Sequence, residues 1–214
     1  MGRKHFALED RRMSSMSEDA ATTVDAMTDS AVAGIPFLDD ATRPKAPVIP
    51  GVTPAQHAPG RRLSLYHRHH LEELAAVRYA LERLVAGTGA IEAVSDRMTS
   101  LSMIENYRTF GNLCGRQCQL LEMHHDIEEG SLYPLLGRNV GLRPVLDRLG
   151  AEHRTVYALL ERIRETSNAI GSDPTRKSIL ALNEIYGVFE RIVISHFGYE
   201  ERELEEAIGF YDAL

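Results

Sequence analysis

The sequence of 214 residues is poor in cysteine, in long apolar runs and in basic relative to acidic side chains. Its 31 Asp and Glu outnumber its 24 Lys and Arg, which leaves a formal net charge of −7. No basic stripe offsets this charge. Because phosphate backbones and anionic lipid surfaces attract positive charge, the balance argues against a nucleic-acid-binding protein. We expect no nucleic-acid partner.

The sequence also lacks the features that direct a chain into a membrane or out of the cell. No stretch approaches the roughly 18 consecutive apolar residues that a membrane span requires. The charged N-terminus, MGRKHFALEDRR, is not followed by the apolar core of a signal peptide. The two cysteines, Cys114 and Cys118, lie four residues apart in a helical pattern and make no disulfide framework. We therefore expect a cytoplasmic protein that does not contact membranes.

The composition changes near residue 60. Residues 1–60 are rich in Ser, Thr, Asp and Ala, and prolines then recur at short intervals. This composition predicts a disordered tail and Pro-rich linker. Two short apolar stretches, IPFL and VIPGV, offer a docking segment for the domain or for a protein partner, but no periodicity surrounds them. Residues 61–214 are expected to form the folded domain.

Four segments of residues 61–214 carry apolar side chains at spacings of three and four, and none alternates with a period of two. They predict an all-α fold, an antiparallel up-down four-helix bundle with short connections. The stretch before Ser102 predicts an extra turn or an early start to the second helix. The expected helices run from Arg61 to Gly87 or Gly89, from near Ser102 to Gly137, from Pro144 to Gly171, and onward from a cap at Asp173–Pro174.

Each predicted helix places a histidine on its apolar stripe, and two helices add a glutamate four residues later. Residues four apart share one helical face, so an imidazole and a carboxylate can point at one spot inside the bundle. In an up-down bundle, the starts of helices one and three meet the ends of helices two and four. All the candidates fall at that end. The candidate metal ligands are His67, His124, Glu128, His153, His196 and Glu200.

The number and type of these side chains indicate which metal they suit. Burying four imidazoles and two carboxylates without a cation would be costly. Six donors are too many for one ion and about right for two, with Glu128 and Glu200 as bridges. Imidazole and carboxylate without thiolate favour iron or manganese over a structural zinc site. We therefore predict a dinuclear non-haem iron centre, with two Fe ions as the cofactor.

The first-helix ligand has competitors. His67 lies seven residues before Leu74 and shares its stripe, which favours His67. His70 also lies close to that stripe, whereas His69 points away from it. His70 is therefore retained as a less certain candidate.

The second helix offers two registers, because its histidines are adjacent. His125-x-x-x-Glu129 competes with His124-x-x-x-Glu128. The His124 register follows Leu121 better, so it is the one we prefer.

Three segments carry a resemblance to a known family: HHDIEEGSLYPLL (124–136), AEHRTVYALL (151–160) and HFGYEERELEEAI (196–208). With the histidine-bearing first helix, the chain resembles the hemerythrin-like (HHE cation-binding) domains over about residues 63–208. The resemblance implies a four-helix bundle with a di-iron site that binds dioxygen or reacts with hydrogen peroxide or nitric oxide. It assigns the ligand roles to the same six residues.

The chain departs from this family at one position. Oxygen-carrying hemerythrins have a second histidine one turn after the third-helix ligand, and this chain has Tyr157 there. Tyr157, His70 or solvent would then complete the site. By this resemblance, a more open iron suits peroxidase- or catalase-like turnover, sensing, or iron handling in oxidative stress better than reversible oxygen carriage.

Two other functions compete with this interpretation. Ferritin-like iron storage or oxidation uses two Glu-x-x-His pairs, of which the chain has one, Glu122-x-x-His125. A metal-free helical interaction module would bury the histidines as a polar network. No glycine-rich dinucleotide loop is present, so any electrons must come from another molecule.

Overall fold

The structure is a computed structural model that describes residues 31–90, 96–172 and 175–214. Residues 1–30 of the disordered tail and linker expected over 1–60, and the cap expected at Asp173–Pro174, lie outside these ranges. The chain divides into two compact units, Met1–Ile35 and Pro36–Leu214. The helices given below all belong to the second unit.

Four long helices make up most of the second unit. The helices are α1 (Pro54–Gly60), α2 (Arg62–Ala90), α3 (Asp96–Ile127), α4 (Tyr133–Leu136), α5 (Arg143–Ser172) and α6 (Arg176–Tyr211). Short 3-10 turns lie at Asp40–Thr42 and Val140–Leu142, and a π-helical turn, Glu128–Leu132, joins α3 to α4. No strand occurs in the described ranges. Within these ranges, no helix has the length and apolarity needed to span a membrane.

The long helices close into a ring. Helix α2 packs against α3 and α6, and α5 packs against α6 and α3. The starts of α2 and α5 lie beside the ends of α3 and α6, so consecutive long helices run in opposite directions. The predicted all-α antiparallel four-helix bundle is confirmed.

Two helix starts differ in detail from the expected ones. Helix α3 begins at Asp96, so the early start that the preceding stretch allowed is the one observed. Helix α6 begins after Thr175, whose hydroxyl oxygen accepts a hydrogen bond from the Ser178 N–H at 3.1 Å. This side-chain cap satisfies a backbone donor that the first helical turn leaves unpaired.

The core consists of apolar layers above and below a polar layer. On α2, His67 is flanked by the buried Leu63 and Leu74. On α6, the buried Val193 and Leu204 lie on either side of His196. The histidines therefore occupy a layer that is separated from solvent along the bundle axis.

Residues 36–60 pack against the bundle. Ile49, from the VIPGV stretch, is buried in the same core cluster as Leu63 and Leu204. Helix α1 follows it, with the Thr53 N–H donating to the Gln56 side-chain oxygen at 2.9 Å at its N-terminus. The apolar stretch that the sequence offered as a docking segment thus lies on the domain itself.

Helix α1 approaches α6 through two glycines. A Cβ atom on Gly60 would overlap the Glu205 backbone, and one on Gly209 would overlap the Gln56 backbone. The two backbones can come this close only because both glycines lack a side chain.

The Gly209→Ala variant is expected to lower the free energy of unfolding by about 1–3 kcal/mol, because the added methyl must push α1 away from α6. Urea unfolding followed by circular dichroism measures this change. Gly198→Ala, on the same helix, is the control, since no atom lies within 4 Å of its added Cβ. It should be neutral, or stabilising by roughly 0.5–1 kcal/mol. Equal stability of the two variants would contradict the proposed close contact.

Candidate metal centre

Seven imidazole and carboxylate side chains meet at one end of the bundle and form two donor groups. Within each group, one possible ligand atom from every member lies within 4.8 Å of the others. The first group comprises His125, His153 and His196, and the second comprises His67, His124, Glu128 and Glu200. All six residues selected from the sequence belong to these groups, together with His125.

Glu128 lies between the two groups. Its Oε1 is 3.0 Å from His124 Nε2 in the second group, and its Oε2 is 3.5 Å from His153 Nε2 in the first. Glu200 approaches from α6, with Oε2 at 3.3 Å from His67 Nε2. Glu128 thus directs one carboxylate oxygen toward each group.

The end of α3 explains how several donors come from one stretch of chain. His124 and His125 lie in the last turn of α3, and Glu128 opens the π-helical turn. In this turn the Tyr133 N–H bonds to the Glu128 carbonyl, which inserts one extra residue into the helical path. The Tyr133 hydroxyl then enters the site, where it donates to Glu200 Oε1 at 2.7 Å and lies 3.3 Å from His153 Nε2.

Three of the imidazoles make a hydrogen bond, on the side of the ring that faces away from the centre, to carboxylates that belong to neither group. The Nδ1 atoms donate from His67 to Glu201 (2.8 Å), from His153 to Glu129 (2.7 Å) and from His196 to Glu152 (3.0 Å). Because an ionised carboxylate only accepts, each Nδ1 carries a proton, which leaves Nε2 as the nitrogen of a neutral ring that can bind a metal. Metal-binding histidines are typically fixed in this way.

The atoms that face the centre lack partners in the described part of the chain. His153 Nε2 and His196 Nε2 are 3.1 Å apart although both rings carry their proton on Nδ1, so two lone pairs oppose each other. A metal cation would satisfy all of these acceptors at once, so the residues fit a metal site. The atoms without a hydrogen bond are His67 Nε2, His124 Nε2, both ring nitrogens of His125, both carboxylate oxygens of Glu128, and Glu200 Oε2.

The electrostatics of the two groups differ. Burial and the neighbouring histidines lower the pKa of His125 well below its usual value and that of His153 to about 3, which keeps both rings neutral. Burial would also lower the pKa of His67. The nearby carboxylates of Glu128, Glu200 and Glu201 outweigh it and raise that pKa to about 10. The group with two carboxylates therefore attracts a positive charge.

The less certain candidates lie beside the two groups. The His70 ring is 4.7 Å from the His124 ring, and the Tyr157 ring is 5.7 Å from the His125 ring. Among the described residues, His70 belongs to neither donor group.

His125 is the residue that the sequence reasoning missed. The apolar spacing favours the His124 register, so His125 and its register are not selected. Neighbouring residues on a helix point about 100° apart, a separation that a site with two donor groups can accommodate. The His-His doublet at 124–125 was the available signal.

The bundle and its two donor groups define a class of protein, a four-helix domain with a cation site lined by histidine and glutamate. The chain matches the Hemerythrin HHE cation binding domain family over residues 59–208, and it belongs to that family. Membership makes it a hemerythrin-like metal-binding protein. No curated protein and no solved structure gave a match.

Proposed function

We propose that the protein holds a dinuclear non-haem iron centre and reacts with a small ligand, namely dioxygen, hydrogen peroxide or nitric oxide. The observation that carries this proposal is the pair of donor groups joined by Glu128. Seven donors suit two ions, and imidazole with carboxylate favours iron or manganese. The three histidines of the first group would hold one ion, and the second group would hold the other.

The irons would supply the redox chemistry, and the surrounding residues prepare the site for it. The carboxylates behind the imidazoles keep a proton on each Nδ1 and direct each Nε2 inward. The Tyr133 hydroxyl holds a proton 2.7 Å from Glu200 Oε1, where it also fixes that carboxylate oxygen. The apolar layers around Leu63 and Leu74 exclude bulk water.

Burial of the site limits the size of its substrate. The His67, His125 and His196 side chains are fully buried, so only a molecule of a few atoms can reach them. A cavity of about 580 Å³, whose lining includes Glu129 and Tyr133, lies against the outer side of the site. This arrangement supports a diatomic molecule or a peroxide as the ligand.

The cysteines support a reducing cytoplasm as the compartment. Cys114 and Cys118 are both free thiols, and their Sγ atoms lie 3.8 Å apart. With only two cysteines, four residues apart on one helix, the chain has no disulfide framework of the kind that secreted proteins use.

Metal analysis and visible absorption of the full-length protein from iron-supplemented cells test the proposal. We expect about two irons per chain and ligand-to-metal absorption that changes when peroxide is added. Removing the metal with a chelator should lower the melting temperature, because the ions bind only the folded chain. His124→Ala should lose this absorption, whereas the exposed His69→Ala should keep it.

One result would count against the proposal, and another would change the kind of chemistry assigned to the site. Absence of metal, with melting unchanged by a chelator, would leave a helical interaction module. A stable and reversible oxygenated spectrum would point to oxygen carriage instead of turnover or sensing.

A further inference from the structure

A segment that precedes the family domain is tied to α6 beside the site. We call residues 39–46 the strap. The Ser195 hydroxyl donates to Asp40 Oδ2 at 2.6 Å, and the Tyr199 hydroxyl donates to the Pro44 carbonyl at 2.7 Å. The Ala46 N–H donates to a Glu203 carboxylate oxygen at 2.9 Å. The strap is thus held at several points along α6, although it lies outside residues 59–208.

Arg43 is the strap residue that reaches toward the site. Its Nε and Nη2 donate to Glu152 Oε1 and Oε2 at 2.8 and 2.9 Å, a bidentate ion pair. Its Nη1 donates to the Ser195 hydroxyl at 2.8 Å, and its guanidinium lies 4.7 Å from the centre of the Tyr199 ring. Both charged side chains are largely buried, at 11% and 6% exposure. A bidentate arginine fixes the plane of a carboxylate as well as its position.

Glu152 links Arg43 to His196 of the candidate metal centre. Its Oε2 accepts the proton of His196 Nδ1 at 3.0 Å, on the side of the ring opposite the donor atom Nε2. Arg148 also donates to Glu152, but only to Oε1 at 2.6 Å, and it bonds to the strap through the Thr42 hydroxyl at 2.8 Å. Without Arg43, the contacts with Arg148 at Oε1 and with His196 itself at Oε2 would remain, so the carboxylate and the ring could turn together about the Arg148 contact. Arg43 prevents this turn by holding both oxygens.

We propose that Arg43 is a positioning residue of the metal centre. Through Glu152 it fixes the tautomer and ring orientation of His196, so the strap forms part of the site. Its effect on metal binding rests on the proposed function. Its effect on the His196 ring does not, because the hydrogen-bond chain exists without a metal.

Arg78 provides a matched control. It donates from Nε to Glu190 at 3.0 Å, its guanidinium lies 4.7 Å from the centre of the Tyr186 ring, and its side chain is 20% exposed. Glu190 has no described bond to a site histidine. The Arg78→Gln variant therefore removes a comparable ion pair elsewhere in the bundle, and it separates a general loss of stability from an effect on the site.

The first measurement uses the metal-free, full-length protein with ¹⁵N-labelled histidine. Long-range ¹H–¹⁵N spectra distinguish the two imidazole tautomers. We expect the wild type and Arg78→Gln to show His196 with its proton on Nδ1 only. Arg43→Gln should show a mixture of tautomers. An unchanged His196 signal in Arg43→Gln overturns the proposal.

The second measurement is competition for Fe²⁺ between the protein and a chelator. Glu152→Gln is expected to weaken binding by about 10–100-fold and Arg43→Gln by about tenfold, whereas Arg78→Gln should match the wild type. Arg43→Lys should stay weak, because an ammonium keeps the charge but cannot hold both carboxylate oxygens.

The two measurements separate the possible failures. Wild-type affinity in Arg43→Gln, or an equal loss in Arg78→Gln, contradicts the role of Arg43 in metal binding. If the wild type itself binds no iron, the proposed function fails, and the tautomer measurement still decides whether Arg43 positions His196.

Discussion

Glu128→Gln is expected to abolish binding of both metal ions while leaving the fold intact. Glu128 is the carboxylate that faces both donor groups, with Oε1 near His124 Nε2 and Oε2 near His153 Nε2. A neutral amide has nearly the same shape but cannot supply a charged oxygen to each ion. We expect the iron content to fall from about two per chain to near zero. Metal analysis after purification measures it.

The metal-free protein gives this prediction a second readout. Both Glu128 oxygens are buried and lack a hydrogen bond in the described part of the chain. Without a metal ion, only the neighbouring His67 imidazolium offsets the cost of burying this carboxylate. The metal-free Glu128→Gln protein should therefore melt close to the temperature of the metal-free wild type, whereas the iron-loaded wild type should melt higher than both.

Glu122→Gln is the matched control for this variant. Glu122 lies on α3, is partly exposed, and forms an ion pair with Arg164 at 2.6 Å. The change removes the same charge from a residue outside both donor groups, so the iron content should stay that of the wild type. Retention of both irons by Glu128→Gln would show that Glu128 does not bridge the ions.

His125→Ala is expected to remove one of the two ions. His125 belongs to the three-histidine group, stacks on His153 at 3.9 Å, and has no hydrogen bond from either ring nitrogen in the described ranges. Its loss leaves that group with two imidazoles, whereas the second group keeps all four members. We expect the iron content to fall from about two to about one per chain.

Chemical rescue distinguishes the loss of a ligand from damage to the core. His125→Ala opens a cavity of the size of an imidazole ring. Added imidazole should therefore restore the iron of the three-histidine group. The visible absorption of the iron bound by the second donor group should persist with or without imidazole. Full iron content in His125→Ala without imidazole would mean that His125 is not a ligand, and that Tyr157 or solvent completes the first group.

The periodicity of the sequence predicted the helices and the common level of the histidines, because a spacing of three or four residues dictates one buried face. The same spacing does not predict His125, because it gives one inward-facing position in each helical turn and His124 already occupies it. It also does not identify Glu129 and Glu201, which accept hydrogen bonds from His153 Nδ1 and His67 Nδ1. Each is adjacent in sequence to a site residue, and a helix directs adjacent side chains to different faces.

The chain before the bundle shows the largest gap between sequence and structure. The proline-rich composition around Arg43 predicts no regular element, and its contacts with α5 and α6 have no periodicity that a sequence could reveal. The close approach of the α1 backbone to Gly209 likewise forms only in the folded protein, and no sequence pattern predicts it.

The sequence by itself determined the all-helical fold, the order of the histidine and glutamate motifs along the chain, and the end of the bundle at which they meet. Those properties follow from local helical geometry, which is fixed by residue spacing. Only the tertiary structure decided that both His124 and His125 face the centre, that Glu128 spans the two donor groups, and that Arg43 holds Glu152. These depend on distances between side chains from different elements, and such distances are set by packing the whole domain.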